Sequence, residues 1–358
     1  MKRLACLMNI AAAVATLAFP RSKPASAHED HREISRFIID TDMDNDDAAA
    51  IAYMCQEHLL GHIQLLGVSI TNNGAGLPGK AVKHARCLLA QCGLPDLPVA
   101  DADLPAPNAF PDEIRDSVDG TLENVFAGCN ASDAPSAVSA PDLLRLLARS
   151  HGPRRVNLLA TGPLSNVAQA LHDSSDGSFR DDVGAAFVMG GAVHVGGNLC
   201  CGVPPGFDNS QEFNFWIDAA AVSDTFNLLR PGTVTLIPLD ATNFVPLTES
   251  FDALLQVNPR TGAARFVAAM VADPGVADGV PAGFLFWWDP LAAVAATTDN
   301  VVRYESDRIA VVQSGPQQGA LVVSSTGAAI RVGISADQHR FETLFRHRLN
   351  ATPPHHGH

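Results

Sequence analysis

Positive charge is scarce in this chain. Lys and Arg number 24 against 38 Asp and Glu, and the formal net charge is −14. That balance argues against nucleic acid or an anionic membrane surface as a partner, since both are held by basic patches. Zinc-type spacing is missing too: none of the seven cysteines falls in a paired Cys-x-x-Cys step. No internal repeat is present, so nothing suggests a repeat array. The apolar stretch at residues 4–19 is short for a membrane span.

What is there begins with a leader pattern. Lys2 and Arg3 precede that apolar stretch, and Ala25-Ser26-Ala27 matches the small-residue rule for cleavage. Cleavage after Ala27 is expected, giving an exported chain with no stable membrane association. It would remove four positive charges and no acid, leaving a net charge near −18. Six cysteines then remain: Cys55, Cys87, Cys92, Cys129, Cys200 and Cys201. An even number in an exported chain permits disulfides. Cys87 and Cys92 are close enough in sequence to close a small loop. The vicinal Cys200 and Cys201 are expected to bond elsewhere than to each other, and Cys55 falls in a predicted helix as a buried thiol.

The hydrophobic fraction of 47% over 358 residues is ample for one large core. Strands are predicted at residues 35–40, 63–70, from 97, 155–160, 185–189 and 234–238. Helices alternate with them at 48–58, 80–90, 140–150, from after Asn166 through Leu171, and 219–229. Residues 101–137 are rich in Pro, Asp, Gly and Asn and read mostly as loop. Strands at 309–312, 320–324 and 328–332 and a helix from Gln338 close the chain. The alternation predicts an α/β fold: a mostly parallel, doubly wound sheet with helices on both faces. A single domain is expected over 28–350, between a leader at 1–27 and a disordered histidine-bearing tail at 351–358.

Five aspartates, Asp40, Asp42, Asp44, Asp46 and Asp47, sit within eight positions, just after an apolar strand and at the start of a helix. Carboxylates in the first turn complement the helix dipole, but five together repel one another. A hard cation bound by oxygen ligands relieves that repulsion, and the absence of His and Cys from the cluster disfavours zinc. Asn72-Asn73, Thr161-Gly162 and Gly190-Gly191 also follow predicted strands, where open α/β sheets bind ligands. His84 and His194 read as ordinary histidines. Trp287 and Trp288 read either as core or as a platform for a flat ligand.

The run Asp40-Thr41-Asp42-Met43-Asp44-Asn45-Asp46-Asp47-Ala48 resembles the Asp-x-Asp-Pro-Gly-x-Asp-Asp-Ala signature of the inosine-uridine preferring nucleoside hydrolases. Thr161-Gly162-Pro163-Leu164-Ser165-Asn166 is similar to that family's Thr-Gly-x-Leu-Thr-Asn turn. Met189-Gly190-Gly191, Asn198, Glu212-Phe213-Asn214 and Asp218 are similar to its next block, and Trp288-Asp289-Pro290-Leu291-Ala292 to its His-Asp-Pro-Leu-Ala helix start.

The resemblance implies a calcium ion held by Asp42, Asp47, Asp289 and the carbonyl of Thr161. It implies Asp42 as general base, and a nucleoside substrate gripped by Asp46, Asn73, Asn198, Glu212, Asn214 and Asp289. Asn72 rivals Asn73, and Asn209 rivals Asn198. Trp288 stands where the inosine-uridine group has its leaving-group acid. Indole cannot act as an acid but can stack on a base, which resembles the family's purine-preferring branch. Met43-Asp44 replaces Pro-Gly, which leaves Asp44 without a role, and the segment between Asn198 and Glu212 is long. The resemblance implies hydrolysis of ribonucleosides to ribose and free base. Two other readings stand beside it. One is a nucleoside- or ribose-binding protein that keeps the metal pocket without turnover. The other is a magnesium-dependent Asp-x-Asp phosphotransferase, against which no phosphate-binding lysine pattern accompanies Asp40-Thr41-Asp42. A homo-oligomer is compatible with the sequence.

Overall fold

The computed structural model describes residues 34–199 and 207–352. The leader, Cys200-Cys201, Pro204-Pro205 and residues 353–358 of the tail lie outside them. Residues from Ile34 onward form one compact unit.

Nine strands make one sheet in the order β3-β2-β1-β4-β5-β6-β9-β7-β8. The first half alternates closely: β1 (Ser35–Thr41), α1 (Asn45–Leu59), β2 (Ile63–Thr71), α2 (Lys80–Gln91), β3 (Val99–Ala102), then helices α3 (Asp112–Val125) and α4 (Ala140–Arg149). Next come β4 (Val156–Ala160), α5 (Ser165–Asp173), α6 (Ser178–Asp182), β5 (Val183–Met189), α7 (Phe213–Ile217), α8 (Ala219–Leu228) and β6 (Val234–Ile237). A helical stretch follows: α9 (Leu239–Thr242), α10 (Glu249–Leu255), α11 (Gly262–Ala272), α12 (Pro274–Ala277) and α13 (Trp288–Thr297). The chain closes with β7 (Val302–Val311), β8 (Leu321–Val323), β9 (Ala328–Ala336) and α14 (Gln338–Asn350). Strands β1 to β6 and β9 run parallel, and β7 is antiparallel to β8 and β9.

The parallel half explains the composition of its strands. A strand covered on both faces reads as a continuous apolar run. Phe37, Ile38 and Ile39 of β1 are all buried, and each such side chain contributes about 1.5–3 kcal/mol on burial. Helix α1 is likewise apolar all round, with every residue from Asp47 to Glu57 buried, as a helix inside a large core must be. Its alanines at 48, 49, 50 and 52 let it lie against the sheet and α13. The strand order reverses direction between β1 and β4, which opens the crevice where such sheets bind ligands. Register puts Asp40 beside both Ser69 and Ala160, so β1, β2 and β4 end level.

Two sequence readings are sharpened. Residues 101–137 are loop for the most part, but α3, which the sequence reading did not show, occupies their centre. Its glycine and five acids mask a narrow stripe, of which Val118, Thr121 and Leu122 are buried. The other is the cysteine pairing, which the sequence leaves open: Cys87 bonds Cys129, while Cys92 and Cys55 are buried free thiols. Cys92 sits at the C-cap of α2 and faces Cys55 of α1, so the short Cys87–Cys92 loop does not form.

The disulfide closes a separation of 42 residues, for which chain entropy gives about 4 kcal/mol of stabilisation. Cys129→Ser is expected to lower the unfolding free energy by about that amount in denaturant titrations. Peptide mapping without reduction should recover Cys87 linked to Cys129 and leave Cys92 alkylatable after unfolding.

Candidate active site

The turn from β1 into α1 assembles the carboxylates. Asp44 is the N-cap of α1: its side chain accepts from the Asn45 N–H, and its own N–H donates to Asp47 Oδ2 at 3.0 Å, a reciprocal capping box. That gives Asp44 a role the sequence left open. Met43 is fully buried in a left-handed conformation at φ 61°, which a proline ring could not adopt. The chain therefore takes a different path here from the Pro-Gly of the signature it resembles. The Met43 N–H is satisfied by Thr41 Oγ1 at 3.1 Å.

Asp46, Asp47 and Asp289 bring carboxylate oxygens within 4.8 Å of one another. Asp289 comes from the first turn of α13, and its N–H donates to Asp46 Oδ2 at 3.2 Å. Asp47 Oδ1 accepts from the hydroxyls of Thr41 and Thr161, the latter at 2.6 Å. Asp42 shares a hydrogen bond with Asp47, and its Oδ2 accepts from the Ala75 N–H at 2.7 Å. Glycines hem Asp42 in: a Cβ at Gly74 or Gly162 would overlap its side chain. Asp40 lies one layer below, bonded to Ser69 Oγ at 2.5 Å and Asn166 Nδ2 at 2.9 Å.

Burial raises every carboxyl here from its ordinary 3.8. Asp40 and Asp47 rise to about 7, Asp44 to about 7 and Asp46 to about 8. For Asp46 the Asp44 charge adds to burial. Asp42 and Asp289 rise well above the carboxylate range, burial first and neighbouring aspartates second.

These residues fit a hard cation. The donors are all oxygen, and Asp289 Oδ1 is buried with no hydrogen-bond partner. Such an orphaned anion is costly unless a cation meets it. Asp42, Asp47 and Asp289 could each ligate, as could the Thr161 carbonyl, which also accepts from Asn214 Nδ2 at 2.9 Å. A second trio, His84, Asp119 and Glu123, lies between α2 and α3. There Lys80 and Lys83 hold Glu123 at 2.9 Å each, so ammonium groups stand where a cation would go.

The sugar-side candidates fall into two groups. Asn214 reaches the Thr161 carbonyl, and Glu212, buried, accepts from the N–H groups of Gly191, Asn214 and Phe215 at 2.9, 3.0 and 3.2 Å. Burial raises the Glu212 pKa against those donors. Asn198 Oδ1 accepts from the Phe213 N–H at 3.1 Å, whereas its rival Asn209 is exposed. Asn73 donates to Ser165 Oγ at 2.8 Å, and Ser165 donates to Asp218 at 2.6 Å. Asn72 turns the other way, to Asp101 and Asp103. Ser165 and Asp218, read only as parts of motifs, thus form a relay that fixes Asn73. The tryptophans separate: Trp287 is buried among Phe251, Phe341 and Phe345, while Trp288 is half-buried beside Phe286.

With this geometry in place, comparison with known proteins decides the family. The family described as inosine-uridine preferring nucleoside hydrolase matches residues 37–343. The chain belongs to that family. It is similar to the pyrimidine-specific ribonucleoside hydrolase RihA of Shewanella oneidensis, with 31% identity over 209 residues, 58% of this chain and 59% of that protein. The match to that relative therefore spans less than two thirds of its length. Uridine nucleosidase 1 of Arabidopsis thaliana is 27% identical over 289 residues, 78% of this chain and 79% of its own. The fold is that of the inosine-uridine preferring nucleoside hydrolase from Bacillus anthracis, with a TM-score of 0.75 at 21% identity, covering 88% of this chain and 99% of that one.

Raised carboxyl pKa values carry a stability consequence. The metal-free native state binds more protons than the unfolded chain between 3.8 and about 8, so its stability falls as pH rises through that window. Thermal unfolding in chelator is expected to show a lower Tm at about pH 8 than at about pH 5. A saturating divalent cation should remove most of the fall at about pH 8, because it competes with the protons for the same oxygens.

Proposed function

We propose that this protein hydrolyses the N-glycosidic bond of ribonucleosides, giving ribose and free base, with calcium as its metal. The observation that carries the reading is the buried, orphaned Asp289 oxygen facing Asp46 and Asp47 at the carboxyl ends of the strands. Asp42, Asp47, Asp289 and the Thr161 carbonyl would hold the ion. Oxygen-only donors and several carboxylates favour calcium over zinc. When bound, such an ion supplies a water of lowered pKa.

The chain's own residues do the rest. Asp42 takes the proton of the attacking water, held in place by the Ala75 N–H. As the C1′–N bond breaks, its electron pair leaves with the base and positive charge grows on the ribosyl ring. Asp46, half-buried, and Asp289, buried, lie close by and stabilise that charge. Asp46, Asn214 and Asp289 grip the 2′ and 3′ hydroxyls, Asn73 lies on the ribose side, and Asn198 and Glu212 take the 5′ hydroxyl. Water then bonds to C1′ without a covalent enzyme intermediate. Trp288 carries the base by stacking and supplies no proton.

Export fits the same reading. The leader pattern at residues 1–27 and the Cys87–Cys129 bond both suit an oxidising, calcium-bearing compartment. A second reading draws on Trp288: with no acid at that position, the pocket would bind nucleoside or ribose without turnover. Family membership leaves the phosphotransferase reading without support.

Reducing-sugar release from a panel of purine and pyrimidine ribonucleosides in calcium separates hydrolase from binder. Asp42→Ala is expected to abolish calcium binding by calorimetry and to lower kcat by at least about 10³-fold; retained turnover would overturn the assignment of the base. Trp288→Ala should raise KM by about tenfold with a smaller change in kcat, since stacking contributes about 0.5–1.5 kcal/mol. A loss confined to kcat would instead mark Trp288 as part of leaving-group chemistry.

A further inference from the structure

We propose that Arg115 is a positioning residue for Asp42, acting through the turn at residues 72–76; the proposal rests on the hydrolase reading of the site. Arg115 lies in the first turn of α3 and is half-buried. One of its guanidinium nitrogens, Nη2, donates to the carbonyls of both Asn72, at 3.0 Å, and Gly76. Those two carbonyls bracket a single turn. Between them the Ala75 N–H holds Asp42 Oδ2 at 2.7 Å, and at its far end the Gly76 N–H holds the Asp42 carbonyl at 2.8 Å. Asn73 projects its amide to Ser165 from the same turn.

Arg115 therefore pins both ends of the segment that orients the base. Gly74 shows how tight the fit is, since any side-chain carbon there would enter the space of Asp42 Oδ2. A turn released at either end would carry the Ala75 donor away from the carboxylate. A shift of about 1 Å in such a group can cost 10²-fold in rate.

Arg115 itself stands on a fixed platform. Glu123 of α3 is paired with Lys80 and Lys83 of α2, and Thr121 and Asn124 donate to Asp273 at 3.2 and 3.1 Å. Just beyond α3, Cys129 is bonded to Cys87 of α2. The guanidinium thus transmits a rigid frame to the turn and touches neither ion nor substrate.

The test separates position from charge. Coulomb's law alone predicts that removing a positive charge near the carboxylates tightens a divalent cation. The positioning role predicts the opposite sign. Arg115→Met, confirmed as folded by circular dichroism and thermal unfolding, is expected to bind calcium about tenfold more weakly and to lose about ten- to a hundredfold in kcat. Arg115→Lys should stay within about threefold of the parent in both, because a single nitrogen makes both bonds and an ammonium can replace it. Arg86→Met is the control, since half-buried Arg86 likewise clamps two carbonyls with one nitrogen, those of Ser132 and Ala134, and makes no bond to the 72–76 turn; it should leave both readouts unchanged. Calcium bound as tightly or more tightly by Arg115→Met overturns the proposal, as does an Arg115→Lys variant as impaired as Arg115→Met. If the parent protein releases no ribose yet binds calcium, the hydrolase reading falls. The calcium arm still decides the role of Arg115.

Discussion

Mutual repulsion among buried carboxylates is the constraint around which this protein is built. Asp42, Asp46, Asp47 and Asp289 cluster in one crevice, where burial first and the charge of neighbouring aspartates second disfavour the ionisation of each. The groups that hold them are neutral: hydroxyls of Thr41 and Thr161, and backbone N–H groups of Asp44, Ala75 and Asp289. Neutral donors orient a carboxylate without cancelling its charge. The negative potential is thereby kept for positive visitors, of which a bound cation would be the first. Lysine or arginine at the same positions would stabilise the fold more and spend that potential.

Much of this was legible in the sequence, and the parts that were not share a cause. Local signals sufficed for the parallel half: Phe37-Ile38-Ile39 reads as a doubly covered strand, and the aspartates after it read as a helix start. Four motifs far apart in sequence fall on level strand ends because βα alternation forces them there. Helix α3 was missed because Asp112, Glu113, Asp116 and Asp119 leave it only a narrow buried stripe. Its placement comes from tertiary partners, including Lys80, Lys83 and Asp273, which no window of sequence contains. The cysteine pairing was open for the same reason. Cys87 and Cys92 are only five positions apart, yet helical geometry sends Cys92 toward Cys55, and Cys129 arrives from the end of the unrecognised helix.

The departures from the family signature are resolved unevenly by the fold. Asp44 becomes intelligible at once, as a helix cap that ties Asp47 from the backbone side. Met43 shows that the turn can follow another backbone path and still deliver Asp42 and Asp47 to one place. Trp287 and Trp288 look equivalent in sequence, but the start of α13 sends one into an aromatic core and leaves the other half-buried beside Phe286. The ambiguity of the pair was one of direction, which only the helix phase decides.

The glycines around Asp42 have a further meaning for how such a site changes over generations. Gly74 and Gly162 contribute by having no side chain, and every possible substitution there adds atoms into the space of Asp42. Variation cannot reshape the surroundings of Asp42 by small steps from that side. The Asp42 side of the crevice is thus frozen by the absence of two side chains, and divergence in this fold has to be written elsewhere.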